Sequence, residues 1–226
     1  MALTVELPDD GACRLWESKP TAEVDGLLTT FRTADGARVL VAAFAASGDA
    51  FAAADAGGRL YAAWPTRNRA VAFARLDGGA AVTALALTPA ELEDQDGMVA
   101  AGSSAALLLA AGLSDGRLEL WRAQPPPPRG GAGGDGAARV ALLRTLEPGG
   151  GVAVHTLCAS ASPAASGAAA LVGCTTRLAF SLSLPLARGA GAQLARLDET
   201  AVARAHGALV DACALPEGVA LSLIHI

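Results

Sequence analysis

The chain has 226 residues, enough for one large domain or two small ones. Its formal net charge of -5, with Lys19 as the only lysine and the arginines spread singly, excludes a nucleic-acid footprint, because neutralising phosphates takes clustered Lys and Arg. The apolar fraction of 52% is inflated by Ala and Gly while aromatics make up 4%, so a core built from it buries less area per residue than one rich in Leu, Ile and Phe.

The cysteines Cys13, Cys158, Cys174 and Cys213 form no C-x-x-C pair, and only Cys158 has a histidine, His155, at metal-ligand spacing. That pair alternates along an expected strand and lacks further ligands, so it reads as a small buried thiol rather than a metal site. The pattern fits a reduced, cytoplasmic setting. The N-terminus, Met1 to Asp10, is acidic where a secretory signal needs a basic region and an apolar core. No export is expected.

Gly11 to Trp16 reads as one isolated outer strand, of the kind that completes the last blade of a ring from the other end of the chain. Val39 to Trp64 reads as three strands joined by tight turns: Val39 to Phe44, Phe51 to Asp55, and Arg59 to Trp64 after Ala56-Gly57-Gly58. Arg69 to Leu76 alternates polar and apolar residues and supplies a fourth strand before Gly78-Gly79. The pattern restarts at Ala81 to Pro89, about forty residues on. An acidic insertion, Glu91 to Asp96, interrupts it before Leu107 to Trp121 completes three strands. The uncharged run Gly97 to Ser114 lies at the lower edge of bilayer-spanning length. It contains Gly102, Ser103, Ser104 and Gly112 and runs into an Asp-Gly turn, so it reads as a loop and a buried strand, with no membrane span.

Residues 124–136 are a low-complexity loop of four prolines followed by glycines, extended and solvated at first and flexible after. Gly131 to Gly136 matches G-x-G-x-x-G, but it follows a proline run and precedes a strand. A dinucleotide site needs the reverse context. Arg139 to Leu146 is the displaced outer strand of the second unit. A third unit runs through Val152 to Cys158, Leu171 to Cys174 and Arg177 to Leu182, and Leu194 opens a fourth that includes Ala205 to Gly218. The last six residues, Leu221 to Ile226, match the translation of a transposon-end adapter used in sequencing libraries. The expectation is therefore a truncated reading frame, with residues 221–226 set apart as artefact.

The phrase that organises these units is Ser114-Asp115-Gly116-Arg117-Leu118-Glu119-Leu120-Trp121, a tight Asp-Gly turn feeding an alternating strand that ends in Trp. It recurs as Asp55 to Trp64, in short form as Arg14-Leu15-Trp16, and in degraded form as Arg177 to Phe180. A repeat near forty residues of short strands with this turn is the mark of a WD40-type β-propeller. The expected fold is all-β: an incomplete propeller of about four blades or part-blades over residues 11–220. The residues expected to hold its blades are Trp16, Asp55, Trp64, Asp115, Trp121 and His206, the last being the one histidine read as lying in an inter-blade loop.

From Gly11 to about Leu87 the layout resembles the N-terminal propeller of the WD-repeat family that carries a downstream TBC domain, the TBC1 domain family member 31 type. The residues carrying the likeness are Arg14-Leu15-Trp16 with Lys19-Pro20, Asp25 to Leu28, Val41 to Gly48, Gly58 to Tyr61, Asn68-Arg69 and Thr83 to Ala86. The resemblance implies a centriolar-satellite or ciliary protein whose TBC domain lies outside these residues. It implies no catalytic residue.

Three functional readings follow from the pattern. The first is a non-enzymatic scaffold that binds proteins or peptides through loops between blades, with no cofactor, metal, nucleic acid or membrane span. The alternatives are a propeller enzyme with a polar central funnel, for which His155, His206 and Asp211 are the candidates, and a generic WD-repeat adaptor unrelated to cilia. No G-x-S-x-G, Walker lysine or paired-His motif accompanies those three residues.

Overall fold

In the computed structural model the described residues are 2–18, 26–45, 50–64, 70–89, 106–125, 138–148, 150–161, 169–176, 179–183, 194–196, 207–215 and 218–225. They form seventeen strands in five antiparallel sheets. The first sheet holds β1 (Ala2–Glu6), β2 (Ala12–Ser18) and β3 (Gly26–Arg32) in that order. The second holds β4 (Val39–Phe44), β5 (Phe51–Asp55), β6 (Arg59–Trp64) and β7 (Ala70–Arg75). The third holds β8 (Val82–Pro89), β9 (Leu107–Leu113), β10 (Leu118–Gln124) and β11 (Arg139–Leu146). The fourth holds β12 (Thr156–Ala161), β13 (Ala169–Cys174), β14 (Ala179–Ser183) and β15 (Leu194–Arg196), and β16 (Gly207–Leu215) pairs with β17 (Gly218–His225) in the last.

Each four-stranded sheet is a meander, and the sheets stack through their first strands. β8 packs against β4 on one side and β12 on the other, and β12 packs against β16. A parallel bridge joins Ala45 to Leu87 at the first of these seams. This is the blade arrangement of a propeller, with β4, β8, β12 and β16 innermost.

Stacking explains the composition. A middle strand covered on both faces cannot alternate polar and apolar residues, and every residue of β5 and β9 is buried. The run Leu107 to Leu113 that resembles a membrane segment is therefore the second strand of a blade. Among the described residues no helix is long and apolar enough to cross a membrane. Small side chains let the sheets approach closely: a Cβ at Gly112 would stand 2.6 Å from Val154 Cγ1 of the next blade. Three apolar clusters fill the seams. One joins Leu60, Ala62 and Trp64 of β6 to Leu85, Leu109 and Trp121 of the next blade. A second joins Leu118 and Leu120 to Val154, Leu171 and Phe180. The third joins Cys13 and Phe31 to Phe51 and Tyr61.

Three expectations are corrected. Gly11 to Trp16 is not an isolated outer strand, because β2 pairs with β1 on one side and β3 on the other. The first sheet matches the outer three strands of a blade: Thr33 N donates to Gly11 O as Leu76 N donates to Gly58 O. Leu194 does not open the fourth unit, since β15 pairs with β14 as the outer strand of the preceding blade. Val152 to His155 lie in the linker ahead of β12, which starts at Thr156. The insertion Glu91 to Asp96 and residues 126–136 of the low-complexity loop lie outside the described residues. β17 carries residues 221–225 in a ladder with β16.

Candidate functional site

The turns between the second and third strands of the blades hold most of the described polar network. Gly58 (φ 73) and Gly116 (φ 88) take the left-handed conformation that a side chain resists, so glycine sits where each turn reverses. One residue later each blade places an arginine, Arg59 or Arg117. Asp55, whose side chain is 0% exposed, accepts from Arg59 N at 2.9 Å and Tyr61 Oη at 2.7 Å, with Arg59 Nη1 at 3.6 Å. Arg59 also reaches out of its blade and donates through Nη2 to Asp35, in the linker between β3 and β4. Arg117 repeats the plan: Nε donates to Asp115 Oδ2 at 2.7 Å, and Nη2 donates to Asp77 O at 3.2 Å, in the linker between β7 and β8. Each arginine thus ties its own turn acid to the chain entering its blade.

The electrostatics follow from these contacts. Hydrogen bonding to Asp35 holds the Arg59 pKa above its usual value. Burial would raise the Asp115 carboxyl, but the side-chain and backbone bonds from Arg117 and its charge outweigh this, and the net shift is down. Glu119 goes the other way. Its pKa is raised, first by burial and then by Asp77 and Asp115, against the pull of the Arg117 charge. Its Oε1 meets Arg117 Nη1 at 3.3 Å, while Oε2 is buried without a hydrogen bond among the described residues.

The three tryptophans are not equivalent. Trp121 faces the preceding blade, buried among Leu76, Val82 and Leu85, and its Nε1 has no hydrogen-bond partner among the described residues. Trp16 lies at the same distance from its turn, five residues after Gly11 as Trp121 is after Gly116, and its Nε1 donates to Glu6 Oε2 at 3.2 Å. Trp64 comes six residues after Gly58, and the one-residue offset puts it on the other face of its sheet, against the following blade. Reading Asp55 to Trp64 as a copy of Asp115 to Trp121 is corrected on this point. Ala63 holds the position that corresponds to Trp121.

His155, read as a strand residue, lies instead in the linker before β12. Its N–H donates to Cys174 O at 3.0 Å, and its Nδ1 stands 3.3 Å from Thr156 Oγ1 and 3.8 Å from Cys174 Sγ. His206 lies outside the described residues, and Asp211 is described only as a backbone position of β16, opposite Ser222. Burial pushes the Cys13 thiol up to about 12, which keeps it protonated and inert. Among the described residues no three of His, Cys, Asp and Glu are grouped to hold a metal ion.

Sequence reasoning missed the linking arginines, although Gly58-Arg59 and Gly116-Arg117 repeat in the phrase that revealed the blades. It also missed Thr83, whose single hydroxyl proton is shared between Gly112 O of its own blade and Val154 O ahead of the next, and so stitches two blades. Nothing local marks a threonine for that role.

Stacked four-stranded meanders with glycine turns and seam clusters define an all-β, partial WD40-type propeller. Solved structures share this fold. The chain is similar to the WD40 domain of SCAP from fission yeast (TM-score 0.63, 10% identity, covering 98% of this chain and 45% of that one). It is similar also to Saccharomyces cerevisiae Sqt1 (TM-score 0.60, 14% identity, 95% and 50%) and to Chaetomium thermophilum Raptor (0.56, 13%, 98% and 17%). The chain spans half or less of the length of these structures. At such identities the likeness is one of fold. No family model and no curated protein matches the sequence.

Proposed function

We propose that the chain is the N-terminal WD-repeat part of a larger cytoplasmic protein and acts as a non-enzymatic scaffold, holding other proteins or peptides. The observation that carries this reading is the way the polar groups are used. Asp55, Arg59, Asp115 and Arg117 are committed to holding turns and linkers in place, which makes a rigid frame on which loops can present binding surfaces. The test is proximity labelling with the intact protein. Partners enriched above a labelled control and lost when the loops at blade ends are exchanged are expected; labelling no different from the control removes the scaffold.

The finer reading is a TBC-domain protein of centriolar satellites or the ciliary base. It rests on Arg14-Leu15-Trp16, Gly58 to Tyr61 and Thr83 to Ala86, whose order and spacing resemble those of that family. Sequencing the transcript beyond Gly218 tests it. Continuation through further WD units into a TBC-like helical domain is expected, and a frame that ends after a few more blades leaves only a generic adaptor.

A further inference from the structure

The outer strand of the second full blade is a long free edge. β11 is eight residues long and ends its sheet, so its outer N–H and C=O groups have no strand partner among the described residues. Edge strands are normally blunted by charged side chains, Pro, a bulge or short length to prevent further pairing. Arg139 to Leu146 has two arginines and a bulge but no Lys or Pro, and along its eight residues it exposes Leu142 (47%) and Leu143 (42%).

The register gives its two faces different chemistry. Arg139, Ala141 and Arg144 lie opposite Gln124, Arg122 and Leu120, on the face of β10 turned towards the third full blade. Val140 and Leu142 lie opposite Ala123 and Trp121, on the other face. Leu143 is the extra residue of the bulge between these two sets. Among the described residues neither Arg139 nor Arg144 has an ion-pair partner, and both are exposed in a chain of net charge -5.

A strand laid along this edge must repeat the same two-residue period. Its residues beside Arg139 and Arg144 then meet positive charge, and those between them meet Val140 and Leu142. The geometry points to β11 as a docking edge for an extended segment of a partner protein in which acidic and aliphatic residues alternate, added as a fifth strand of this blade. The backbone ladder supplies affinity, and the arginines select the sequence. The inference rests on the scaffold reading and moves one partner site from the loops to the rim.

The test uses the 226-residue chain and three labelled peptides: alternating Glu and Val, the same residues in two blocks, and alternating Lys and Val. The alternating acidic peptide is expected to bind by fluorescence anisotropy, to weaken with added salt, and to slow amide exchange along residues 139–146. Arg139→Glu with Arg144→Glu should weaken it by about tenfold or more and favour the Lys peptide, because like charges then face each other. Both side chains are exposed, so the urea midpoint should hold; Leu142→Lys, read by the same exchange experiment, serves where the double variant fails to fold. Equal binding by the charge-reversed variant, equal binding of the block peptide, or protection confined to other strands overturns the proposal. Partners found at the loops with β11 unprotected remove this site and leave the scaffold standing.

Discussion

Gly112→Ala tests the close approach between the second and third full blades, because two physical effects predict opposite signs for it. In a strand the change limits the unfolded chain and on that ground stabilises by ~0.4–1 kcal/mol. The structure predicts the reverse. The new methyl would lie 2.6 Å from Val154 Cγ1, 2.8 Å from its Cβ and 3.1 Å from its carbonyl oxygen. Two of those atoms cannot be moved by rotating the Val154 side chain, so the blades must separate. Overpacking of this kind costs ~1–3 kcal/mol. Separation also stretches the Thr83 bond to Val154 O across the seam, at ~0.5–1.5 kcal/mol for a hydrogen bond. With the opposing chain-entropy gain set against these costs, the net loss is about 0.5–4 kcal/mol, read as a lower urea midpoint with an unchanged slope. Val154→Ala removes the nearest atom but leaves the Cβ contact, so the double variant should lose less than the two single variants added together. A Gly112→Ala chain as stable as the parent, or strict additivity in the double variant, would refute the close packing of this seam.

Asp55→Ala removes a fully buried acceptor from Arg59 N and Tyr61 Oη and should cost ~2–4 kcal/mol by chemical denaturation; a loss below about 1 kcal/mol would make the turn acid dispensable. Gly58→Ala and Gly116→Ala both force a side chain into left-handed backbone, at ~1–2 kcal/mol. Gly116→Ala should cost more, since its Cβ meets Gly151 N, Val152 N and Val152 O at 2.9 Å while Gly58 has open space; equal thermal shifts would contradict the described turns. The Glu119 pKa is raised on folding, so its carboxyl favours the folded state most at low pH, and that contribution is lost as pH rises from the usual 4.5 through the folded value. Glu119→Gln should therefore gain stability relative to the parent over that rise. A difference that stays flat with pH would show that Glu119 titrates alike in both states.

The two central blades were legible because their information is local. Gly58 and Gly116 mark turns, the repeat near forty residues marks units, and alternation marks Ala70–Arg75 as an outer strand. The first sheet was hidden because Trp16 advertises a single strand, whereas β1 and β3 carry no Trp of their own and are strands through their pairing with β2. β15 was assigned to the wrong unit for a similar reason: three residues, Leu194–Arg196, carry too little pattern to reveal which neighbour they join.

The class of structure is written along the chain: many short strands, tight glycine turns and small apolar side chains suited to stacked sheets. These are properties of neighbours along the chain. Tertiary structure alone decided which face each side chain takes and what it meets there. A one-residue offset after Gly58 turns Trp64 towards the following blade while Trp121 faces the preceding one. Arg59 and Arg117 gain their roles only when Asp35 and the Asp77 carbonyl arrive from linkers 24 and 40 residues away. The physical reason is the two-residue period of a strand: composition and spacing survive a one-residue shift, but the side chain's face does not.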